Sequence, residues 1–359
     1  MIVDNQCKTI KVGKPTSFPL KFMEVKVMLF ANYDSKKVQK VLESVESNER
    51  KAFYEGMGVT IDNCTSLESA LKLSGLDFEV EKKPLYFADM MDNGYPNFIE
   101  IKDQFSTVRS DTKQSLGVVG KDYNILQNRE AFDFLDDICA QGAKFETAGF
   151  FKKNGAASYI TMSTEPISIL NDEWDNYMLF ANGFDGESSV RVCLTNVRAV
   201  CRNSAILAIK KASNLVSIKH SKVMYSRLEA AKEIMLANSN YLNALKEEAE
   251  KMAVTPFSEE AFNTLINKLF PVKAEDSELV QIRNLALVEQ LLKAYKQDDL
   301  QNFNGTMYKA FQAFSDFESH KPVFRKTTKV SNNGTPEFQV VMAGMPLLNK
   351  AYQMMLETV

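Results

Sequence analysis

The amino-acid sequence predicts an α+β protein, with a mainly antiparallel sheet and a basic helix in the N-terminal and central part and an all-helical C-terminal half. Between residues 97 and 222, apolar and polar residues mostly alternate, as they do in strands that bury one face. Beyond residue 223, Glu-rich and Ala-rich windows repeat their apolar residues at helical spacing. The 359 residues, 45% hydrophobic and 25% charged, have the composition of a globular protein.

Turn and capping signals divide the chain into parts. We expect an N-terminal extension of strands and a helix at residues 1–52. An α+β core domain that contains a basic segment should follow at residues 53–222, and a helical region with a short C-terminal hairpin at residues 223–359. At the start of the core, Thr65 and Glu68 have the spacing of a capping box, which predicts a short helix that ends near Gly75. Short strands should follow at residues 78–81 and 85–87.

Two glycines, Gly117 and Gly120, precede a lysine and superficially resemble a phosphate-binding loop. A P-loop needs four residues between its glycines so that backbone N–H groups can surround the phosphates. Here two residues separate the glycines, and Asp122 would repel a phosphate. We therefore expect a short strand and turn, with the glycines supplying positive φ.

The central elements include one hairpin with a clear turn signal. Asn154-Gly155 is the dipeptide that a two-residue type I′ turn prefers, and such a turn would place Phe150 opposite Tyr159. A helix is expected at residues 129–139 and this hairpin at residues 145–162. A second strand pair should follow at residues 177–182 and 188–195, and the basic helix at residues 197–211.

The C-terminal half shows helical periodicity with recognisable helix starts. Thr255 and Pro256 are favoured residues for an N-cap and a first helical position. A strand pair is expected around Asn333-Gly334. The predicted helices lie at residues 225–252, 255–270, 277–296, 304–317 and 345–357.

The scarce residues argue against an enzyme. The five cysteines form no CxxC pair, and the two histidines lie a hundred positions apart, so we expect no metal, no cofactor and no catalytic residues. A magnesium-dependent nuclease site would need neighbouring carboxylates, but nothing in the sequence places the candidates together, which are Asp133, Asp136, Asp185 and Glu187. No apolar run approaches 20 residues and residues 1–14 contain no signal-peptide core, so we expect a cytoplasmic protein that does not enter a membrane.

Charge is unevenly distributed along the chain. The net charge is −3, yet residues 188–228 contain no Asp or Glu and eight basic residues. A row of cations on a helix over residues 197–211 would suit the regularly spaced phosphates of a nucleic acid. The predicted phosphate-binding residues are Arg191, Arg198, Arg202, Lys210, Lys211, Lys219 and Lys222.

Aromatic residues on the neighbouring strands could stack on the bases of a single strand. The candidates are Phe150, Tyr159, Phe180 and Phe184. An alternative interpretation stays open at this point, in which the basic segment pairs with carboxylates of the acidic helical half and the aromatic rings belong to the core.

A succession of short motifs resembles the phage/plasmid-like proteins, a family defined by domain of unknown function 932. The matching stretches lie at residues 76–86, 116–123 with Gln127-Asn128, 146–149, 189–192, 197–203 and 217–220. The resemblance implies a mobile-element protein in the host cytoplasm, and it brings no established catalytic residues.

Two functions of different classes follow. The first is binding or annealing of single-stranded nucleic acid, with DNA favoured over RNA, by a homo-oligomer similar in layout to the strand-annealing proteins of phages. The second is a protein–protein role, in which the acidic remainder of the surface antagonises a host nuclease or defence factor, or binds another phage protein. Neither function requires a metal or a bound cofactor.

Overall fold

Two antiparallel sheets form the N-terminal and central part of the protein. A computed structural model describes residues 29–45, 52–92, 94–199, 202–207, 214–236, 238–320 and 335–358. The strands are β1 Val59–Thr60, β2 Val80–Met90, β3 Pro96–Arg109, β4 Ser115–Gly120, β5 Lys144–Phe150, β6 Ala157–Ile169, β7 Asp172–Gly183, β8 Val190–Arg198, β9 Ser204–Ala205 and β10 Leu215–Ile218. The large sheet has the order β1-β5-β6-β7-β8-β10, with β9 also paired to β8, and the small sheet has the order β2-β3-β4.

Helices account for the regular structure of the described C-terminal part, which confirms the predicted fold class. They are α1 Ser35–Val45, α2 Leu67–Ser74, α3 Asn128–Phe132, α4 Leu135–Ala140, α5 Met224–Leu236, α6 Asn238–Val254, α7 Glu259–Leu269, α8 Glu278–Tyr295, α9 Met307–Ser319, α10 Pro336–Met342 and α11 Pro346–Leu356. The single helix predicted at residues 129–139 is two short ones, α3 and α4. None of the described helices has both the length and the apolar character needed to cross a bilayer.

Two helices begin at a different cap from the predicted one. Helix α2 starts at Ser66 instead of Thr65, because the Ser66 hydroxyl accepts the backbone N–H of the third helical residue at 3.4 Å. It ends at Gly75 as predicted, with φ at 69° in the left-handed region that glycine favours. Helix α7 starts at Ser258 instead of Thr255, again through a hydroxyl that accepts a backbone N–H three residues on.

The strand predicted after Asn333-Gly334 is wrong, because helix α10 occupies the described residues there. The Thr335 hydroxyl accepts the backbone N–H of Phe338 at 3.2 Å, so Thr335 is the N-cap. Pro336 follows at the first helical position, where its fixed φ suits a helix and its missing N–H leaves no bond unmade. Residues 321–334, which contain the Asn333-Gly334 turn itself, lie outside the described residues.

The hairpin between β5 and β6 forms as predicted, but with a different register. Asn154 and Gly155 both adopt positive φ, 58° and 85°. They belong to a short 3₁₀ turn, so the connection between the strands is longer than two residues. Phe150 therefore pairs with Ser158, and the prediction that it lies opposite Tyr159 is wrong by one residue.

The basic helix predicted over residues 197–211 is absent from the described part of that segment. Strand β8 continues through Arg198 because its partner β7 is long enough to pair with it as far as Trp174. A tight turn then leads into β9, with Val197 paired to Ser204. The prediction of a helix over residues 197–211 rested on the four-residue spacing of its basic residues, which contains no information about this pairing.

The small sheet is fixed to the large sheet at the turn between β7 and β8. Thr107 of β3 donates its hydroxyl hydrogen to the Phe184 carbonyl oxygen at 2.6 Å. Gly117 of β4 lies so close to this turn that a Cβ there would come within 2.5 Å of the Asp185 backbone. Neither Gly117 nor Gly120 has positive φ, so the prediction about their conformation is wrong. Instead, the missing side chain of Gly117 lets β4 lie close to the backbone of the turn between β7 and β8.

One hydrophobic core extends from the large sheet into the helices that follow it. Helix α9 lies at its centre, and all 13 of its residues are buried. Two of its serines bond to β9, because the Ser315 hydroxyl donates to the Ser204 carbonyl at 2.9 Å and the Ser204 N–H donates to the Ser319 hydroxyl at 2.8 Å. Sheet and helices therefore share buried polar contacts as well as apolar packing.

Candidate functional site

Strands β2 and β3 extend past the end of β4 as a two-stranded arm, residues 85–101. A bulge sets the arm off from the rest of the small sheet, because residues 102–104 have no partner on β2. The bulge follows Pro84, at the point where pairing with β4 also begins. At the far end, the Met91 N–H donates to the Tyr95 carbonyl at 3.0 Å and closes the arm.

Large apolar side chains are exposed on both faces of the arm. The cross-strand register places Phe87 beside Ile99 on one face and Ala88 beside Phe98 on the other. The exposed fraction reaches 66% at Phe98 and 72% at Tyr95. The exposed set is Tyr86, Phe87, Met90, Met91, Tyr95, Phe98, Ile99 and Ile101. A two-stranded hairpin has no second layer of its own, and none of the described residues covers either face.

The arm also carries a negative charge. Residues 84–101 contain three acidic residues, Asp89, Asp92 and Glu100, and no Lys or Arg. All three acidic residues are exposed. The combination is an apolar surface with an acidic rim, which is unsuited to a phosphate backbone because that backbone repels carboxylates.

Sequence reasoning did not find this arm, although two signals were present. Asn93-Gly94 is a preferred hairpin dipeptide between two apolar runs. The run Leu85-Tyr86-Phe87 is apolar at consecutive positions, and consecutive residues of a strand point to opposite faces. A two-stranded hairpin with such a run must expose part of it, because it has too few layers to bury both faces.

The predicted phosphate-binding residue Arg198 lies inside the protein. Its side chain is 2% exposed, and its guanidinium donates to Asp172 Oδ2 at 2.6–2.8 Å and to a carboxylate oxygen of Asp299. Asp172 belongs to β7, and Asp299 lies in the 3₁₀ turn before α9. Arg198 therefore joins the sheet to the helical half, and its charge is neutralised by the protein's own carboxylates.

The other two predicted arginines lie in separate environments. Arg191 on β8 is partly buried and donates to the Met342 carbonyl at the end of α10. Arg202 lies in the turn between β8 and β9, with its Nη2 3.4 Å from Glu55 Oε1 and its side chain nearly half exposed. The structure thus does not bring Arg191, Arg198 and Arg202 together into one row.

Of the four lysines predicted to bind phosphates, the structure describes Lys219 and Lys222. Lys219, just after β10, is exposed. Lys222 Nζ lies 3.6 Å from Asp122 Oδ1, and both side chains are more than 70% exposed, so water and salt screen this pair. Lys210 and Lys211 lie outside the described residues.

Exposed cations and exposed apolar side chains adjoin where β10 passes into α5. We call this stretch the basic patch, and its residues are Lys219, Lys222, Val223, Tyr225 and Arg227. Beneath it, the imidazole of His220 stacks on the Tyr123 ring with centroids 4.8 Å apart. Burial lowers the pKa of His220 below its ordinary value of 6.5, so the imidazole is neutral at pH 7 and adds no charge to the patch.

Three of the four predicted stacking residues have no accessible ring. Tyr159, Phe180 and Phe184 are fully buried in the cores beneath the sheets. Phe150 is 37% exposed at the end of β5, with the Arg109 guanidinium 5.6 Å from its ring centroid. Of the four, Phe150 is the one that a base could reach.

An ion-pair cluster lies beside the turn between β7 and β8. The Lys152 ammonium donates to Asp185 and, at 3.3 Å, to Glu187. Burial raises the pKa of Asp185, but hydrogen bonds from Lys152 and two backbone N–H groups outweigh burial and leave that pKa below its ordinary value. Asp185 therefore stays ionised and Lys152 stays protonated at neutral pH, which are the charge states of an ion pair.

The carboxylates considered for a magnesium site do not converge. Asp136 accepts a backbone N–H from the first residue of α2 at 2.7 Å, and Asp133 ends helix α3, whereas Asp185 and Glu187 lie at the β7–β8 turn. No three His, Cys, Asp or Glu side chains within the described ranges are close enough to hold a metal ion. Two clefts of about 300 and 580 Å³ flank Lys152, and their linings mix both signs of charge.

Comparison with known proteins adds a family without a known activity. The family model for DUF932, a domain of unknown function, matches residues 115–335, more than half of the chain. No curated protein and no solved structure matches. The arm lies N-terminal to the matched residues, whereas β8, β10 and the basic patch lie within them.

Proposed function

The chain belongs to the DUF932 family, a domain family of unknown function, and we propose that it is a protein-binding module that works through its arm. The observation that carries this proposal is the apolar surface of residues 85–101, which the described part of the chain leaves uncovered. Soluble proteins rarely leave such a surface open unless it binds another molecule. The acidic rim favours a protein partner with an apolar groove or edge that is bordered by cations.

The size of this surface matches a protein interface. The eight exposed side chains present about 850 Å² together, if a fully exposed side chain of this kind contributes roughly 200 Å². A standard interface buries roughly 800 Å² on each partner, and the largest apolar patch of an ordinary monomer is roughly 300–600 Å². Because this area is divided between the two faces of the arm, a partner that encloses both faces would bury enough area for a specific complex.

The backbone of the arm offers a second means of binding. Within residues 85–101, β2 and β3 pair only with each other among the described strands, so their outer edges carry unpaired N–H and C=O groups. An extended segment of a partner can add to such an edge as a further strand. Main-chain hydrogen bonds would then supply affinity, while aromatic side chains such as Phe98 would supply specificity.

Site-specific photo-crosslinking tests the proposal. Phe98 is replaced by p-benzoylphenylalanine in the full chain, and the cells that produce the protein are irradiated. Leu73 on α2, which is 59% exposed and lies outside the arm, receives the same replacement as a control. We expect a discrete cross-linked polypeptide from position 98 and none from position 73. Cross-linking to no polypeptide from position 98 would reject the proposal.

Binding of single-stranded DNA remains a prediction, and the basic patch is the observation that favours it. Tyr225 is 51% exposed between Lys222 and Arg227, an arrangement that can hold a phosphate beside a stacked base. The test is a titration of labelled oligonucleotide at two salt concentrations with the wild type and with Lys219→Glu/Lys222→Glu. Affinity that falls steeply with salt and is lost in the variant supports binding there, and no binding at low salt would reject it.

A further inference from the structure

The basic patch and the arm are complementary, and we propose that the arm of one copy docks on the basic patch of a second copy. This inference rests on the proposed function of the arm and names its partner. The arm presents exposed aromatic side chains with three carboxylates. The patch presents exposed Val223 and Tyr225 with three cations, Lys219, Lys222 and Arg227. Two carboxylates also lie beside the patch, Asp122 near Lys222 and Glu130, which accepts the Tyr225 hydroxyl at 3.4 Å, so the three cations leave it a net positive charge opposite in sign to that of the arm.

The cations of the patch are less neutralised than Arg198 and Arg202, which belong to the same basic segment. Arg198 is neutralised by two carboxylates, and Arg202 lies beside Glu55. By contrast, Lys219 and Arg227 form no ion pair with any carboxylate that the structure describes, and Lys222 has one screened neighbour. Among the described residues of the acid-free window, the patch at its C-terminal end therefore has the most exposed positive charge.

Within one chain, the patch lies close to the base of the arm, since Lys82 of β2 donates to the Tyr123 carbonyl at 3.2 Å and Tyr123 stacks on His220. From this base the arm extends by six residues to Met90, about 20 Å at roughly 3.4 Å per residue. The exposed tip is therefore about 20 Å along the strands from the base beside which the patch lies, and we expect a second molecule to supply the contact.

The two surfaces are different, which determines the kind of assembly. An interface between two different patches is heterologous, so each copy can offer its arm to one neighbour and its patch to another. Such contacts propagate into a ring or an open chain of subunits. The acidic residues Asp89 and Glu100 of each arm would keep two arms from pairing with each other.

Light scattering of the full chain over a range of concentrations tests this arrangement. We expect a mass above that of the monomer at low salt, which falls as salt screens the charges. Phe98→Glu and Lys219→Glu/Lys222→Glu should each weaken association by about tenfold or more, and Leu73→Glu should not. A mixture of the first two variants retains one working arm and one working patch, so it should form a dimer and nothing larger.

Three results would overturn the inference. The first is association that is lost in Phe98→Glu but unchanged in Lys219→Glu/Lys222→Glu. This result would show that the arm binds a surface other than the basic patch. Loss of DNA binding in the lysine variant without any change in mass would assign the patch to nucleic acid. The third is a wild-type protein that is monomeric at every concentration. If position 98 nevertheless cross-links to a different polypeptide, the proposed function of the arm is retained and only the second copy is excluded as its partner.

Discussion

Replacement of Arg198 by methionine should destabilise the protein strongly, because it removes the buried cation that two partly buried carboxylates share. The side chains of Asp172 and Asp299 are 19% and 24% exposed, whereas that of Arg198 is 2% exposed. Removal of one partner from a buried ion pair costs about 3–5 kcal/mol. Because the two carboxylates keep some contact with water, we expect a loss near the lower limit, about 3 kcal/mol.

The single tryptophan of the chain is a convenient probe for this measurement. Trp174 is fully buried and is paired with Arg198 across the β7–β8 ladder, so its fluorescence reports unfolding of the affected region. Urea unfolding of Arg198→Met should show a free energy of unfolding lower by about 3 kcal/mol, and thermal unfolding a midpoint lower by about 4 °C. Lys222→Met, which removes an exposed pair, should change stability by less than about 1 kcal/mol.

A rescue variant separates charge from packing. Arg198→Met combined with Asp172→Asn and Asp299→Asn leaves no unpaired charge and should recover at least half of the lost stability. Stability of Arg198→Met within about 0.5 kcal/mol of the wild type would refute the reasoning. In that case Arg198 would be free to contact a ligand, as the sequence analysis expected.

Three further predictions concern ionisable groups. Burial lowers the pKa of His220 below 6.5, so the unfolded chain binds a proton more readily than the folded protein. The free energy of unfolding should therefore fall as pH drops through and below 6.5. His220→Gln should reduce the dependence of that free energy on pH, as measured by urea titrations at several pH values. The hydrogen bond from Arg109 lowers the pKa of Asp111 to about 2, so its stabilising effect is present above pH 4 and is lost as pH falls towards 2; Arg109→Gln should raise that pKa towards 3.8 in an NMR titration, and an unchanged value would contradict the assignment. Burial raises the pKa of the Cys193 thiol to about 12, so a water-soluble thiol reagent should modify this residue in urea but not in the native protein, as read by peptide mass spectrometry; equal rates would contradict its burial.

Local signals in the sequence were sufficient for much of the architecture. The strand pair at residues 177–182 and 188–195 forms as predicted, because alternation of apolar residues reflects burial of one face directly. Helix α2 ends at Gly75 because left-handed backbone there favours glycine. These features depend on residues that are neighbours in the chain, and a single sequence contains that information.

Long-range contacts were beyond the same reasoning. The basic segment was correctly identified as unusual, but Asp299, which neutralises Arg198, lies 101 residues away in the chain. No count of charges in a window shows which carboxylates the fold brings to it. The helix predicted over residues 197–211 failed for a similar reason, since pairing with β7 decided the conformation of Val197 and Arg198.

The central position of helix α9 affects the order in which the chain can mature on a ribosome. The Ser204 carbonyl of β9 accepts its hydrogen bond from Ser315, 111 residues later in the chain. At roughly 5–20 residues per second, synthesis of that interval takes roughly 6–20 s. During this time the nascent sheet lacks the element that fills its interior. Messages truncated anywhere before codon 307 should therefore yield polypeptides that proteases degrade, and not shorter proteins with part of the activity.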